Sequence, residues 1–119
     1  MENILIEDPK CSTCQRAKKF LETNKIEYKS RNIVTETPSF EELQEWISKS
    51  ELPLKSFFNT SGLLYRSMNL KEELKNCSEE ETIKILSSNG MLIKRPIMIT
   101  KDKILLGFKE DEWKKTLIL

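Results

Sequence analysis

A short apolar run followed by a Cys-x-x-Cys turn stands near the start of this 119-residue chain. Asn3–Ile6 predicts a buried strand, which the Asp8-Pro9-Lys10 segment ends. Cys11 and Cys14 come next, where apolar residues begin to recur at i, i+3 and i+4 spacing and predict a helix over about 12–24. The cysteines are therefore predicted to lie between the end of a strand and the beginning of a helix.

The rest of the chain separates into a helical stretch and a terminal hairpin. A second strand is predicted over Glu27–Ile33, which makes the start of the chain a right-handed parallel β-α-β unit. Short helical patterns fill about 39–90, the segments Pro96–Thr100 and Lys103–Gly107 predict an antiparallel hairpin, and a last helix is predicted over about 109–117. This order predicts an α/β protein with a four-stranded mixed sheet and helices on both faces, the thioredoxin or glutaredoxin arrangement.

Three pairs of residues have the spacing of a capping box and predict helix starts. They are Ser12 with Gln15, Ser39 with Glu42, and Ser78 with Glu81. Gly90 follows the last of these helices and is predicted to take the left-handed C-cap position. The first pair predicts that a helix begins at the Cys-x-x-Cys turn itself.

Length and charge restrict the class of protein. One domain is predicted over 1–119, with a helical insertion at about 39–90. The net charge is +1, from 20 basic and 19 acidic residues, which gives no electrostatic case for nucleic acid or a membrane as partner.

No apolar run approaches the roughly 18 residues that span a bilayer. Met1–Glu7 has neither the basic region nor the long apolar region of a signal peptide, so we expect a cytoplasmic protein with reduced thiols.

The chain has three cysteines and no histidine. The absence of histidine excludes a Ser-His-Asp triad and a histidine general base. A structural zinc site takes four Cys or His ligands, so we expect no metal site. In a reducing compartment an isolated Cys-x-x-Cys is better interpreted as a redox motif. The third cysteine, Cys77, is most simply interpreted as a thiol without a role.

The predicted position of Cys11 favours a reactive thiolate. Unpaired N–H groups and the positive end of the helix dipole stabilise an anion at a helix N-terminus, and Lys10 adds a nearby positive charge. The pKa of Cys11 is therefore expected below the ordinary value of about 8.5. Cys14 lies nearly one turn deeper, where it either resolves a disulfide on Cys11 or serves as a small buried hydrophobic residue.

Three segments resemble the glutaredoxin-coupled arsenate reductases (ArsC) and the related Spx regulators of the thioredoxin-like superfamily. Asp8–Ala17 is similar to their active-site turn, and Lys94–Ile97 to their Arg-Pro motif. Gly107–Glu112 is similar to the glycine-aromatic turn and acidic start of their last helix. The resemblance runs from about Ile4 to Leu117, with the three motifs in the same order.

The resemblance implies roles for individual residues. Cys11 matches the catalytic cysteine, Arg95 an arginine that contacts the oxyanion or the thiolate, and Pro96 a cis-proline beside the active site. The other residues of the active-site turn are Lys10, Ser12 and Thr13. A guanidinium near Cys11 also makes chemical sense by itself, because it favours a thiolate and holds an oxyanion by paired hydrogen bonds; the alternative is a solvated arginine. The family needs no bound cofactor and takes electrons from an external thiol such as glutathione, glutaredoxin or thioredoxin.

Departures from the family leave two main hypotheses and a third, weaker one, a scaffold whose cysteines are vestigial. Two further oxyanion-binding arginines of the arsenate reductases are not matched at Ser56–Thr60 and Leu106–Phe108, whereas Cys14 is present as in Spx. The first hypothesis is a thiol-dependent oxidoreductase that acts on a small oxyanion or disulfide with a thiol reductant protein. The alternative is a redox-switched, Spx-like protein that binds RNA polymerase, although the glycine of the polymerase contact is not found near Ser50–Pro53 and no charged extension follows the last helix.

Overall fold

Two units make up the computed structural model of this protein, which describes residues 3–119. The first consists of the chain up to Asn32 together with Arg95–Leu119, and the second is Ile33–Lys94. The single domain over 1–119 with an insertion at about 39–90 stays a prediction. Within residues 3–119, no helix has the length and apolar character needed to cross a membrane.

The first unit contains a four-stranded mixed sheet, as predicted. Its strands are β1 (Ile4–Glu7), β2 (Lys29–Asn32), β3 (Ile97–Ile99) and β4 (Ile104–Leu106), in the spatial order β2-β1-β3-β4. β1 pairs with β2 in parallel and with β3 antiparallel, and β3 pairs antiparallel with β4. β2 is shorter than predicted because the chain before Lys29 does not pair with β1 as a strand.

Two helices pack on the same side of this sheet. α1 (Ser12–Thr23) and α6 (Glu110–Leu117) share a core with the strands. Its buried members are Leu5, Ala17, Leu21, Met98, Leu105 and Trp113. Cys14, Ala17 and Leu21 form the buried stripe of α1, which is the i, i+3, i+4 pattern of the sequence. Helices on the opposite face of the sheet stay a prediction.

The second unit is helical, with short segments as the sequence predicts. Its helices are α2 (Phe40–Ser50), α3 (Leu63–Ser67), α4 (Leu70–Glu73) and α5 (Glu79–Ser87). Two 3₁₀ turns, at Leu54–Phe57 and Leu74–Asn76, lie between them, and a third, at Gly90–Leu92, follows α5. The capping boxes of Ser39 with Glu42 and of Ser78 with Glu81 are both present, so these two helix starts are confirmed.

The predicted role of Gly90 is wrong. α5 ends at Ser87, its C-cap Ser88 has right-handed helical dihedrals, and Gly90 begins the 3₁₀ turn that follows. A glycine is required for a different reason, since a Cβ at this position would collide with the backbone carbonyl oxygen of Ile33. Glycine is needed where two backbones approach closely, as well as where φ is positive.

Candidate active site

A short turn carries the chain from β1 into α1 and positions Cys11. The N–H of Cys11 donates to the carbonyl oxygen of Asp8 at 2.9 Å, and the N–H of Lys10 donates to Asp8 Oδ1 at 3.0 Å. Asp8 is 9% exposed, so these bonds are largely shielded from water. The Asp8 side chain therefore fixes the turn that ends β1 and places Cys11 at the N-cap of α1.

The capping box predicted for Ser12 and Gln15 is wrong. Cys11 occupies the N-cap position, with extended dihedrals (φ −90°, ψ 122°), and α1 has no side-chain cap. The N–H of Gln15 donates to the carbonyl oxygen of Cys11 at 3.1 Å, while its side-chain Nε2 donates to the carbonyl oxygen of Pro9 at 2.7 Å. Ser12 is the first helical residue and is exposed. The first-turn N–H groups are thus left for the sulfur of Cys11.

The surroundings of Cys11 favour its thiolate. Burial by itself raises the pKa of this partly exposed thiol. Hydrogen bonds from the backbone N–H and the thiol of Cys14, from the backbone N–H of Thr13 and from Arg95 act in the opposite direction and outweigh it. The pKa of Cys11 consequently lies below its ordinary value, in the direction that a helix N-terminus predicts.

Cys14 is a thiol of the opposite kind. It is fully buried, and burial raises its pKa to about 12, with smaller contributions in the same direction from Cys11 and Glu7. A backbone hydrogen bond to Asp8 offsets part of this. Both cysteines are free thiols, and their mutual hydrogen bond lowers the pKa of Cys11 while raising that of Cys14. The site therefore holds one partly exposed sulfur with a lowered pKa and one buried sulfur with a raised pKa.

Arg95 lies in the same unit as Cys11 and is not the solvated arginine of the alternative interpretation. Its side chain is 17% exposed, and Nε lies 3.8 Å from Asp8 Oδ2. Nε and Nη1 are buried, and neither has a hydrogen-bond partner among residues 3–119. A mostly buried guanidinium with two unused donors beside the sulfur of Cys11 is suited to hold an anion by paired hydrogen bonds.

Pro96 follows Arg95 through a cis peptide bond. Its carbonyl oxygen accepts a hydrogen bond of 2.8 Å from the N–H of Gly107, which has a positive φ of 68°. The carbonyl oxygen of Gly107 in turn accepts from Trp113 Nε1 at 3.1 Å. This chain of bonds ties the proline segment to the start of α6, so the glycine-aromatic motif has a structural task.

Sequence reasoning missed a buried carboxylate. Glu7, the last residue of β1, is 3% exposed, and its Oε2 accepts a hydrogen bond of 2.8 Å from Ser30 Oγ on β2. Lys18 Nζ lies 3.8 Å from Oε1. The only signal in the sequence is an acid directly after an apolar strand, which is more often a solvated strand end.

Other candidate residues lie outside this cluster. Lys10 is exposed and contributes its backbone N–H to the turn. Cys77 belongs to the second unit, where its Sγ donates to the carbonyl oxygen of Glu73 at 3.5 Å. Across residues 3–119, no three His, Cys, Asp or Glu side chains gather in a way that suits a metal ion.

Comparison with known proteins gives one consistent family. The ArsC family model matches residues 7–116. The Bacillus subtilis protein YusI is 50% identical over 90% of this chain and 91% of its own length. The global transcriptional regulator Spx of Enterococcus faecalis is 28% identical over 95% of this chain and 84% of its own length. The crystal structure of an ArsC-family-related protein from Bacteroides fragilis superimposes with a TM-score of 0.92 and 49% identity, covering 97% of both chains.

Proposed function

The chain belongs to the ArsC family, and from that premise we propose that it is a thiol-dependent oxidoreductase with Cys11 as its nucleophile. The Cys11 thiolate attacks one sulfur of a substrate disulfide, so that a mixed disulfide forms and the other sulfur leaves as a thiolate. Cys14, or an external thiol, then attacks Cys11 and releases the second half of the substrate. A thiol reductant such as glutathione, glutaredoxin or thioredoxin reduces the oxidised protein, and the cytoplasm is the compartment where such thiols are maintained.

The observation that carries this proposal is the difference between the two sulfurs. Cys11 is partly exposed with a lowered pKa, whereas Cys14 is buried with a pKa raised to about 12. Only a thiolate attacks a disulfide, so Cys11 reacts first and Cys14 stays protected until the mixed disulfide forms. Two buried structural cysteines have no reason to differ in this way.

The charges around Arg95 favour a disulfide over an oxyanion as substrate. A dianionic oxyanion needs several positive partners, and the Asp8 carboxylate already lies 3.8 Å from Arg95 Nε. The Asp8 charge offsets part of the guanidinium charge that an oxyanion requires. A neutral disulfide places no such demand before reaction, and Arg95 then stabilises the thiolate of Cys11.

The first experiment measures the pKa of Cys11 by thiolate absorbance and by alkylation rate against pH. We expect a value below 8.5 in the wild type and a value closer to 8.5 in Cys14→Ala, because the alanine side chain donates no hydrogen bond to Cys11. Arg95→Ala is expected to raise the pKa, because the hydrogen bond from Arg95 to the sulfur of Cys11 is lost. Arg66→Ala is the matched control, because Arg66 is an exposed arginine of α3 and its loss should leave the value unchanged. A pKa of Cys11 near 8.5 that does not change in Arg95→Ala contradicts the proposal.

Turnover tests the same proposal directly. With a low-molecular-weight disulfide and glutathione plus glutaredoxin, or thioredoxin, the wild type is expected to turn over and Cys11→Ser is expected to be inactive. Loss of Cys77 should have no effect, so Cys77→Ser serves as the control thiol. Arsenate in place of the disulfide reports whether an oxyanion is also reduced.

A second candidate function follows from the similarity to Spx. The match covers 95% of this chain and includes the Cys-x-x-Cys turn. In this alternative the dithiol is a switch, and its oxidation state decides whether the protein binds RNA polymerase. Binding of reduced and oxidised protein to purified RNA polymerase, without turnover of any disulfide, would favour the regulator over the enzyme.

A further inference from the structure

Asp8 makes more contacts around the site than its turn requires. Its Oδ1 accepts the N–H of Lys10 at 3.0 Å, and its carbonyl oxygen accepts the N–H of Cys11 at 2.9 Å. Its second side-chain oxygen, Oδ2, lies 3.8 Å from Arg95 Nε. The side chains of Asp8 and Arg95 are only 12% and 17% exposed, so water shields their charges from each other very little. Asp8 therefore acts on the turn through one oxygen and on Arg95 through the other.

The turn by itself does not explain a carboxylate at this position. It uses one acceptor oxygen, and the side chain of asparagine accepts a backbone N–H two residues on in the same way as that of aspartate. What aspartate adds is a negative charge on an oxygen that faces Arg95. The charge, and not the hydrogen bond, is the property of Asp8 that the turn leaves unexplained.

The contact between Asp8 and Arg95 offsets the charge of the guanidinium without occupying its donors. The distance of 3.8 Å from Nε to Oδ2 is longer than a hydrogen bond. Nε and Nη1 are buried and have no hydrogen-bond partner among residues 3–119. Arg95 thus keeps the paired donors that an anion uses, but an anion that approaches them must also approach a carboxylate. Like charges brought together in a shielded site oppose binding, which excludes one class of ligand.

From this arrangement we infer that Asp8 determines the specificity of the site, because its charge excludes substrates with a negative charge beside the reacting sulfur and admits uncharged disulfides. The inference rests on the proposed function and narrows its substrate class. A negative substrate group meets the charges of Asp8 and of the Cys11 thiolate as well as the positive charge of Arg95. Lys10 is exposed, so water and salt screen its charge. Asp8 acts through Arg95 and takes no part in bond making.

Removal of the Asp8 charge should open the site to anions. Asp8→Asn keeps the size of the side chain and an acceptor for the N–H of Lys10, but it frees the guanidinium of Arg95. Sulfate is the probe, because it is a dianion at pH 7 and does not react with thiols. The parent protein is Cys77→Ser, which lacks the other partly exposed thiol. At constant ionic strength, sulfate is expected to protect Cys11 of Asp8→Asn from iodoacetamide at concentrations about tenfold or more below those that protect the parent.

Two disulfides of different charge make the same comparison on the reaction itself. 5,5′-Dithiobis(2-nitrobenzoate) has a carboxylate on each ring, whereas 2,2′-dithiodipyridine is uncharged at pH 7. With either reagent the Cys11 thiolate bonds to one sulfur, the S–S bond breaks, and its electron pair leaves with the other half of the reagent, whose absorbance is recorded. The ratio of the two rates, charged over uncharged, is expected to rise by about tenfold or more in Asp8→Asn.

This ratio does not respond to a merely structural role of Asp8. The variant also changes the charge near Cys11 and with it the thiolate fraction, but one thiolate attacks both reagents, so its fraction cancels in the ratio. A partly unfolded preparation cancels in the same way. Asp102→Asn is the matched control, because it removes an exposed carboxylate of the same unit and should leave the ratio unchanged. Arg95→Ala added to Asp8→Asn should abolish the gain in sulfate protection, since the freed guanidinium binds the sulfate.

Failure of this inference and failure of the proposed function are distinguishable. An unchanged ratio or unchanged sulfate protection in Asp8→Asn overturns the role of Asp8, as does an equal rise of the ratio in Asp102→Asn or a gain that survives Arg95→Ala. The proposed function then stands. If Cys11 of the parent protein reacts with the uncharged disulfide no faster than glutathione does at the same pH, the proposed function fails. The sulfate experiment involves no disulfide and still decides whether Asp8 shields Arg95 from anions.

Discussion

At the scale of single residues, the site depends on how differently the fold treats two sulfurs three positions apart. Helical periodicity was enough to predict that Cys14 points inward. The helix start beside Cys11 was predicted from the break at Asp8-Pro9-Lys10 and from a capping box that the structure does not contain. The burial of Glu7 was not predictable in this way. It depends on Ser30, 23 residues away, and on the packing of α1 over the end of β1. Neither the contact with Ser30 nor the packing of α1 can be predicted from the residues next to Glu7 in the sequence.

The raised pKa of Cys14 predicts an alkaline loss of stability. In the unfolded chain this thiol ionises near 8.5, whereas in the folded protein it keeps its proton up to about 12. The unfolded state therefore loses the proton first, and the free energy of unfolding falls as pH rises through this interval, by about 1.4 kcal/mol per pH unit. Cys11 contributes in the opposite direction at lower pH. Its pKa is lowered in the folded protein, so the folded state loses this proton first and the free energy of unfolding rises with pH.

Urea denaturation of the reduced protein at pH 8 to 10.5 measures this effect as a difference between variants. The stability advantage of the wild type over Cys14→Ala should shrink by about 2 kcal/mol across the range. Cys77→Ala is the control for the loss of a thiol elsewhere, because Cys77 is partly exposed and belongs to the second unit. Parallel curves for the wild type and Cys14→Ala would contradict the buried, protonated thiol.

At the scale of elements, three similar sequence signals gave two correct helix caps and one wrong one. Ser39 and Ser78 cap their helices as predicted, since a Glu three residues later bonds back to the N-cap N–H in each case. At α1 the cap position belongs to Cys11, and Gln15 instead bonds to Pro9. The turn that Asp8 fixes decides where α1 begins, and this outweighs the local spacing of Ser12 and Gln15.

Serine-to-alanine variants test this assignment of caps. Ser39→Ala and Ser78→Ala each remove an acceptor for a first-turn N–H and should lower the free energy of unfolding by about 1 kcal/mol. Ser12→Ala is the matched control, because Ser12 is an exposed first-turn residue with no cap to lose, and it should cost less than about 0.5 kcal/mol. Urea unfolding of the three variants decides the matter. A cost for Ser12→Ala equal to the other two would restore the capping box at α1.

At the scale of the whole molecule, an inserted unit must return the chain to where it left. The second unit begins at Ile33 and ends at Lys94, and its two ends meet where Gly90 lies against the Ile33 carbonyl. Further bonds close the same region, from Asn59 N–H to the carbonyl oxygen of Leu92 and from Lys94 N–H to that of Phe57, both at 2.8 Å. The sequence predicted a helical insertion at about 39–90 from short helical patterns and capping boxes, but the contacts that close its ends join residues far apart in the chain and follow no local spacing.

Gly90→Ala tests whether this closure stabilises the protein. The added Cβ would collide with the backbone carbonyl oxygen of Ile33, which cannot rotate away as a side chain can. We therefore expect the free energy of unfolding to fall by about 1–3 kcal/mol or more through overpacking. Gly62→Ala is the matched control, because its Cβ would meet the movable side-chain amide of Asn59 at 2.8 Å and would meet backbone, the Asn59 carbonyl oxygen, only at 3.2 Å. It should lose about 1 kcal/mol or less. Thermal and urea unfolding give both values. Since the sulfurs of the candidate site lie in the other unit, folded Gly90→Ala should keep the wild-type pKa of Cys11. Equal losses in the two alanine variants would mean that the close approach of Gly90 to Ile33 contributes nothing specific.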